Sequence, residues 1–252
     1  MSRSIYRMDL QYDGRPFRGW SAQPGLPTVE GSLQQAFSVV LREVPTMTVA
    51  GRTDAGVHAR RQVVSLDLPA PVEAERLIAS LNALTPPEIS VRGLLSSPGF
   101  DARADAVTRS YRYFLWQDKV ESPFWRRYSW FRRRPLDVDA MNRAASHLLG
   151  RHDLTAFTPT ETEHVLFHRT VQRCRWRRRG SFLWLDIEAP AFLRHMVRIL
   201  VGTMVEVGEG SRSPDDLARL VEGAPRDQAG PTAPPHGLFL WRIRYAPREA
   251  RS

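Results

Sequence analysis

Met47-Thr48-Val49-Ala50-Gly51-Arg52-Thr53-Asp54-Ala55-Gly56-Val57-His58-Ala59 is a short apolar run that opens into a glycine-bounded loop carrying Arg, Asp and His. A second run, Gln62 to Leu68, leaves it. Two strands joined through a polar loop place functional side chains on a rigid scaffold, where chemistry tends to concentrate. Asp54 has three readings on spacing alone: a nucleophile, a base, or the turn former that Asp before Ala-Gly suggests.

The neighbouring segments extend this pair of strands into a recurring pattern. Tyr6, Met8, Leu10 and Tyr12 alternate, as in a half-buried strand. Thr28 is placed to cap a helix with an apolar stripe at Leu33, Ala36, Phe37, Val40 and Leu41. Val72 to Leu84 reads as a second helix, with Leu77, Ile78 and Leu81 inward and Pro86-Pro87 ending it. Ile89 to Leu95 reads as a further strand. The order β-α-β-β-α-β is that of a ferredoxin-like unit.

The pattern then repeats. Val107 to Trp116 is an expected strand, and 137–149 a helix with Met141, Ala144, Ala145 and Leu148 inward. Arg169 to Arg178 and Phe182 to Glu188 are expected to pair across Arg179-Gly180. A helix over 191–207, a shorter one over 213–222 and a strand over 238–245 complete the half. The expectation is an α+β protein of two similar ferredoxin-like halves whose sheets meet at a central catalytic cleft, a common place for a site. The join falls between Ser96 and Asp105, giving halves 1–98 and 99–252.

Composition narrows the partner. Thirty-six Lys and Arg face 27 Asp and Glu, a formal charge of +9. Lys119 is the only lysine. Arg pairs with phosphate through a planar fork and stacks on bases, so the excess points to nucleic acid. A genome-wide preference for Arg explains the choice of Arg over Lys but not the excess of base over acid. With one cysteine, Cys174, an internal disulfide is excluded and so is a zinc site built on several cysteines of this chain. The opening residues lack the apolar stretch of a secretory signal, and no run is long enough for a membrane helix. A cytoplasmic home is expected, with no membrane partner.

The string Arg52-Thr53-Asp54-Ala55-Gly56-Val57-His58-Ala59 resembles the signature of the tRNA pseudouridine synthase A family. Further strings resemble that family in the same order. They are Tyr12-Asp13-Gly14 with Phe17, Gly19 and Trp20; Phe100-Asp101-Ala102-Arg103; Arg109 to Tyr113; and Gly150-Arg151-His152-Asp153. Ala191 to Arg198 and Gly230 to Leu240 follow. Departures occur at Ser21, at Asp101, where members typically carry His, and at Leu154, where they carry Phe.

The resemblance implies a homodimeric enzyme that isomerises uridine to pseudouridine at positions thirty-eight to forty of the tRNA anticodon arm. It implies no cofactor and no metal. Asp54 becomes the catalytic carboxylate, acting on C1′ or as a base on the sugar. Arg52, two residues before it on the same side, helps extrude the target nucleotide. Arg198 pairs with Asp54 and keeps it ionised. Tyr111 stacks on the flipped base, Arg103 meets phosphate, and Leu238 lines the uracil pocket. Each has a plainer alternative: a surface ion pair for Arg52, a solvated arginine for Arg103 and Arg198, core packing for Tyr111 and Leu238.

His58 is expected to hold its loop, and Tyr113 to pack in the core. Arg/aromatic segment 125–134 suits either an RNA surface or a half-solvated strand. The loop from Thr158 to Phe167 is a candidate for further tRNA contacts. The rival functions are an RNA-binding protein of the same fold without activity, and a synthase acting on another RNA or site.

Overall fold

The structure is a computed structural model describing residues 2–162 and 165–247. The chain forms a mixed α+β fold that divides into two compact units. Unit 1 comprises Met1–Arg109 with Leu240–Ser252, and unit 2 comprises Ser110–Phe239. The division falls inside a strand at Arg109/Ser110, and the C-terminal strand belongs mainly to unit 1. The sequence pattern had put the join at 98/99 and the whole C-terminal segment in the second half.

Unit 1 contains β1 (Arg3–Tyr12), α1 (Val29–Leu41), β2 (Met47–Val49), β3 (His58–Pro69), α2 (Ala74–Leu84) and β4 (Ile89–Ser96). Its sheet is ordered β4-β1-β3-β11, where β11 is Leu238–Tyr245, and β2 also pairs with β3. The β1 alternation is observed: Tyr6, Met8, Leu10 and Tyr12 are all buried. Thr28 caps α1, its side chain accepting from the Gly31 amide. Leu33, Ala36 and Phe37 are buried as expected, and Leu77 and Leu81 anchor α2.

Unit 2 is built on β5 (Ala106–Gln117), β9 (Arg173–Arg179) and β10 (Phe182–Ala189), ordered β5-β10-β9. Short β6 (Trp130–Arg132) runs parallel to the end of β5. α3 (Val138–Ser146), α4 (Met196–Gly208) and α5 (Asp216–Leu220) supply its helices. The strand expected over 169–178 is split: its first residues form β8 (His168–Val171), and the separate pairing of β8 with β7 (Gly150–Asp153) was not anticipated. Each has four residues, too short for alternation to show.

The β9–β10 hairpin pairs Arg179 with Phe182, so its turn is Gly180-Ser181, one residue beyond the expected Arg179-Gly180. Gly180 has φ +59°, which its lack of a Cβ permits.

The helix expected over 191–207 begins at Met196. His195 precedes it with φ +59°, and Phe192 and Arg194 lie outside the helix. Arg194 and Arg198 therefore do not form the one-turn pair that helical spacing implied. α4 is buried on nearly every side, including Met196, Ile199, Leu200, Gly202 and Thr203. A helix apolar all round belongs inside a core.

Candidate active site

The loop from Gly51 to Val57 starts where regular pairing stops. The last rung is the Ala50 amide on the Val63 carbonyl at 2.9 Å. Beyond it, side chains and neighbouring loops hold the backbone. Gln62 Nε2 donates to the Gly51 carbonyl at 2.8 Å. Arg109 donates to the Ala50 carbonyl from Nε at 3.0 Å and Nη2 at 2.8 Å. The Trp20 amide donates to the Thr53 carbonyl at 3.0 Å, and the Gly56 amide to the Phe17 carbonyl at 3.2 Å.

These contacts explain the first loop's glycines. A Cβ on Gly14 would lie 1.9 Å from the Val57 carbonyl oxygen. Gly19 has φ +103°, and a Cβ there would lie 2.9 Å from the Thr53 carbonyl oxygen. Tyr-Asp-Gly and Phe-x-Gly-Trp thus form a close backbone cradle for the Asp54 loop.

Beneath the loop lies a buried polar cluster. Tyr12 Oη and Thr53 Oγ1 are 2.8 Å apart, and Gln62 Nε2 donates to Tyr12 Oη at 3.2 Å. Burial pushes the Tyr12 phenol up to about 12, leaving it protonated and able to donate to Thr53. Side chains alternate along the loop: Thr53 is buried, Arg52 exposed and Asp54 half-buried. Arg52 and Asp54 are thus the more accessible side chains on either side of buried Thr53. Within the loop, the Val57 amide donates to the Asp54 carbonyl at 3.1 Å, so Asp54 also sits in a turn.

His58 is 1% exposed and anchors the loop's far end. Its Nδ1 lies 3.1 Å from both the Gly14 amide nitrogen and Asp13 Oδ1. One ring nitrogen cannot accept from the first while donating to the second, so which of the two bonds forms depends on the ring's tautomer. Burial raises the Asp13 carboxyl, but hydrogen bonds from His58 and Arg15 outweigh it and hold it well below the usual carboxylate range.

Asp101 acts locally on its own turn. Its Oδ1 accepts from the Arg103 and Ala104 amides, each at 2.7 Å. A side-chain acceptor two or three residues before the donors is an Asx-type turn. Arg103 itself is exposed, and its carbonyl accepts from Arg109 Nη2 at 2.7 Å.

Three of the expected site residues lie in unit 2. Tyr111 is 9% exposed and makes an edge-to-face contact with Phe192 at 5.0 Å. Arg198 Nε donates to the Ala233 carbonyl at 2.8 Å, while the Arg198 carbonyl accepts from the Ala233 amide at 3.1 Å. The segment Gly230 to Pro234 thereby lies flat on α4, and the Gly230 amide donates to Thr203 Oγ1 at 2.9 Å. Leu238 is buried at the end of that segment. Tyr113 is fully buried and donates to the Pro234 carbonyl at 2.8 Å, as its core assignment anticipates.

Arg52, Asp54 and Arg103 thus belong to unit 1, and Tyr111, Arg198 and Leu238 to unit 2. Segment 125–134 is a turn followed by β6, with Arg126 and Arg127 exposed. Trp125 contacts Phe182 at 5.0 Å, and Arg132 lies 4.7 Å over the Trp130 ring. Glu163 and His164 of the candidate contact loop lie outside the described residues. Among the described residues no group of His, Cys, Asp and Glu is arranged to hold a metal, and no helix is long and apolar enough to cross a membrane.

A family model described as tRNA pseudouridine synthase matches residues 144–246. Over 242 residues the chain is 41% identical to tRNA pseudouridine synthase A of Moorella thermoacetica, covering 95% of this chain and 98% of that one. The chain belongs to the tRNA pseudouridine synthase A family. The Bacillus subtilis tRNA pseudouridine synthase A is 40% identical over 239 residues, covering 94% of this chain and 97% of the relative. The Chlorobaculum tepidum member is 40% identical over 248 residues, covering 97% and 99%. The family resemblance read from the Arg52–Ala59 string therefore extends over nearly the whole chain.

Sequence reasoning passed over the residues that hold the loop from below. Gln62 carried a signal: a polar side chain on an otherwise apolar strand must find partners when buried. Tyr12 was placed on a buried strand face and in the opening motif, without a role in holding the Asp54 loop. Arg109 was noted as a neighbour of Tyr111, with no role of its own.

Proposed function

We propose that this isomerase converts uridine to pseudouridine at positions thirty-eight to forty of the tRNA anticodon arm, with Asp54 as the reacting carboxylate. The C1′–N1 bond breaks and a C1′–C5 bond forms, while the proton at C5 is lost and N1 gains one. A carboxylate serves either by attacking C1′ or by acting as a base on the sugar. The observation that supports the assignment is that half-buried Asp54 and exposed Arg52 lie on a loop held from below by buried hydrogen bonds, in a chain 41% identical to a named family member.

In this reading the chain comprises two ferredoxin-like halves flanking a catalytic cleft. Arg198 pairs with Asp54, Tyr111 stacks on the extruded base and Leu238 forms an apolar wall. Arg52 and Arg103 engage RNA, and the enzyme works as a cytoplasmic homodimer without a cofactor. The phosphate backbone of tRNA suits a chain of formal charge +9.

The test is to incubate purified protein with unmodified tRNA and map pseudouridine at each position, with Asp54→Asn in parallel. The expected outcome is product at positions thirty-eight to forty with the parent and none with Asp54→Asn, while tRNA binding is kept. Turnover by Asp54→Asn refutes the carboxylate's role. Product only at other positions refutes the target, and tRNA binding without any product identifies a silent RNA-binding protein.

A further inference from the structure

We infer that Arg109 is a positioning residue for the loop that presents Asp54, a role that rests on Asp54 being the reacting carboxylate. Its guanidinium reaches three backbone carbonyls. Two donors meet Ala50, at 3.0 and 2.8 Å. Nη1 meets Ala106 at 3.0 Å, and Nη2 also meets Arg103 at 2.7 Å. One side chain thus ties the entrance of the Asp54 loop to the turn that carries Arg103, across a separation of 59 residues from Ala50.

The location gives the clamp its consequence. Ala50 is the residue whose amide makes the last backbone rung with β3. The next two carbonyls along the loop's entrance, those of Ala50 and Gly51, are held by the side chains of Arg109 and Gln62. A Cβ placed on Gly51 would stand 3.9 Å from Arg109 Cγ, so the arginine's stem runs beside this position. Asp54 follows three residues later. A loop that lacks ladder pairing takes its position from such side-chain bonds.

Lysine cannot replace this arrangement. An ammonium is a point donor on a flexible stem, whereas the planar fork directs several donors at once. A carboxylate displaced by as little as about 1 Å from its reactive geometry loses on the order of a hundredfold in rate. Ground-state tRNA binding, spread over many phosphate contacts, is much less sensitive to such a shift.

The experiment compares Arg109→Lys and Arg109→Ala with the parent and Asp54→Asn. It measures the single-turnover rate at saturating tRNA, the tRNA Kd and the thermal midpoint. Both arginine variants are expected to fold and to keep Kd within about threefold, while the rate falls on the order of tenfold or more. Lysine is expected not to rescue. A folded variant with a parental rate overturns the role, as do equal losses of rate and affinity, which denote an RNA contact. Failure of both variants to fold overturns it too, by assigning Arg109 to stability alone. If Asp54→Asn turns over, the carboxylate assignment itself fails. If Asp54→Asn is inactive and Arg109→Lys is fully active, only the positioning role fails.

Discussion

Gly202 lies in the middle of α4, where Gly→Ala would ordinarily stabilise a helix by about 0.8–1.0 kcal/mol. Here the added Cβ would lie 1.7 Å from the Pro231 carbonyl oxygen and 2.8 Å from its carbon. Both are backbone atoms, so no rotamer change relieves the overlap. Ordinary contact begins near 3.4 Å, so the 230–234 segment must retreat by roughly the difference, about 1.7 Å. Such a shift breaks the Gly230–Thr203 bond and both bonds between Arg198 and Ala233. At about 0.5–1.5 kcal/mol each, the three are worth about 1.5–4.5 kcal/mol. After the propensity gain, Gly202→Ala is expected to lose about 0.5–3.7 kcal/mol. The urea midpoint and the thermal midpoint measure it, the latter falling by about 2–4 °C per kcal/mol. Because Arg198 loses its anchor, the single-turnover rate should fall as well. A variant as stable as the parent would refute the close packing of this segment on α4.

Tyr12→Phe removes one hydroxyl and leaves Thr53 Oγ1 and Gln62 Nε2 short of a buried partner. The expected loss is about 1–3 kcal/mol by denaturant titration, and an unchanged midpoint would contradict the network. Asp13 gives a pH signature, because its folded pKa lies below the unfolded value of about 3.9. Its contribution is complete above that unfolded value and is lost as pH falls toward the folded one. Asp13→Asn should therefore be less stable than the parent at neutral pH, with the gap closing below about pH 4. A gap that stays constant from pH 7 to pH 3 would remove Asp13 from the acid response.

The local grammar of the chain was legible without coordinates. Alternation placed Tyr6 to Tyr12 in a strand, and Thr28 announced the start of α1, because period and capping act over a few residues. The order of the motifs named the family. What needed tertiary structure were contacts between segments distant in sequence. Arg109 reaches Ala50, Gln62 reaches Gly51, and Pro231 crosses Gly202 at a distance only glycine tolerates. The helix at 191–207 was read five residues too early because Phe192 continues the apolar spacing. The left-handed backbone at His195, which ends that continuity, leaves no mark in a hydrophobic pattern. Side-chain chemistry and periodicity are properties of a segment. Which carbonyl a guanidinium finds depends on where folding brings another segment, and only the packed chain specifies that.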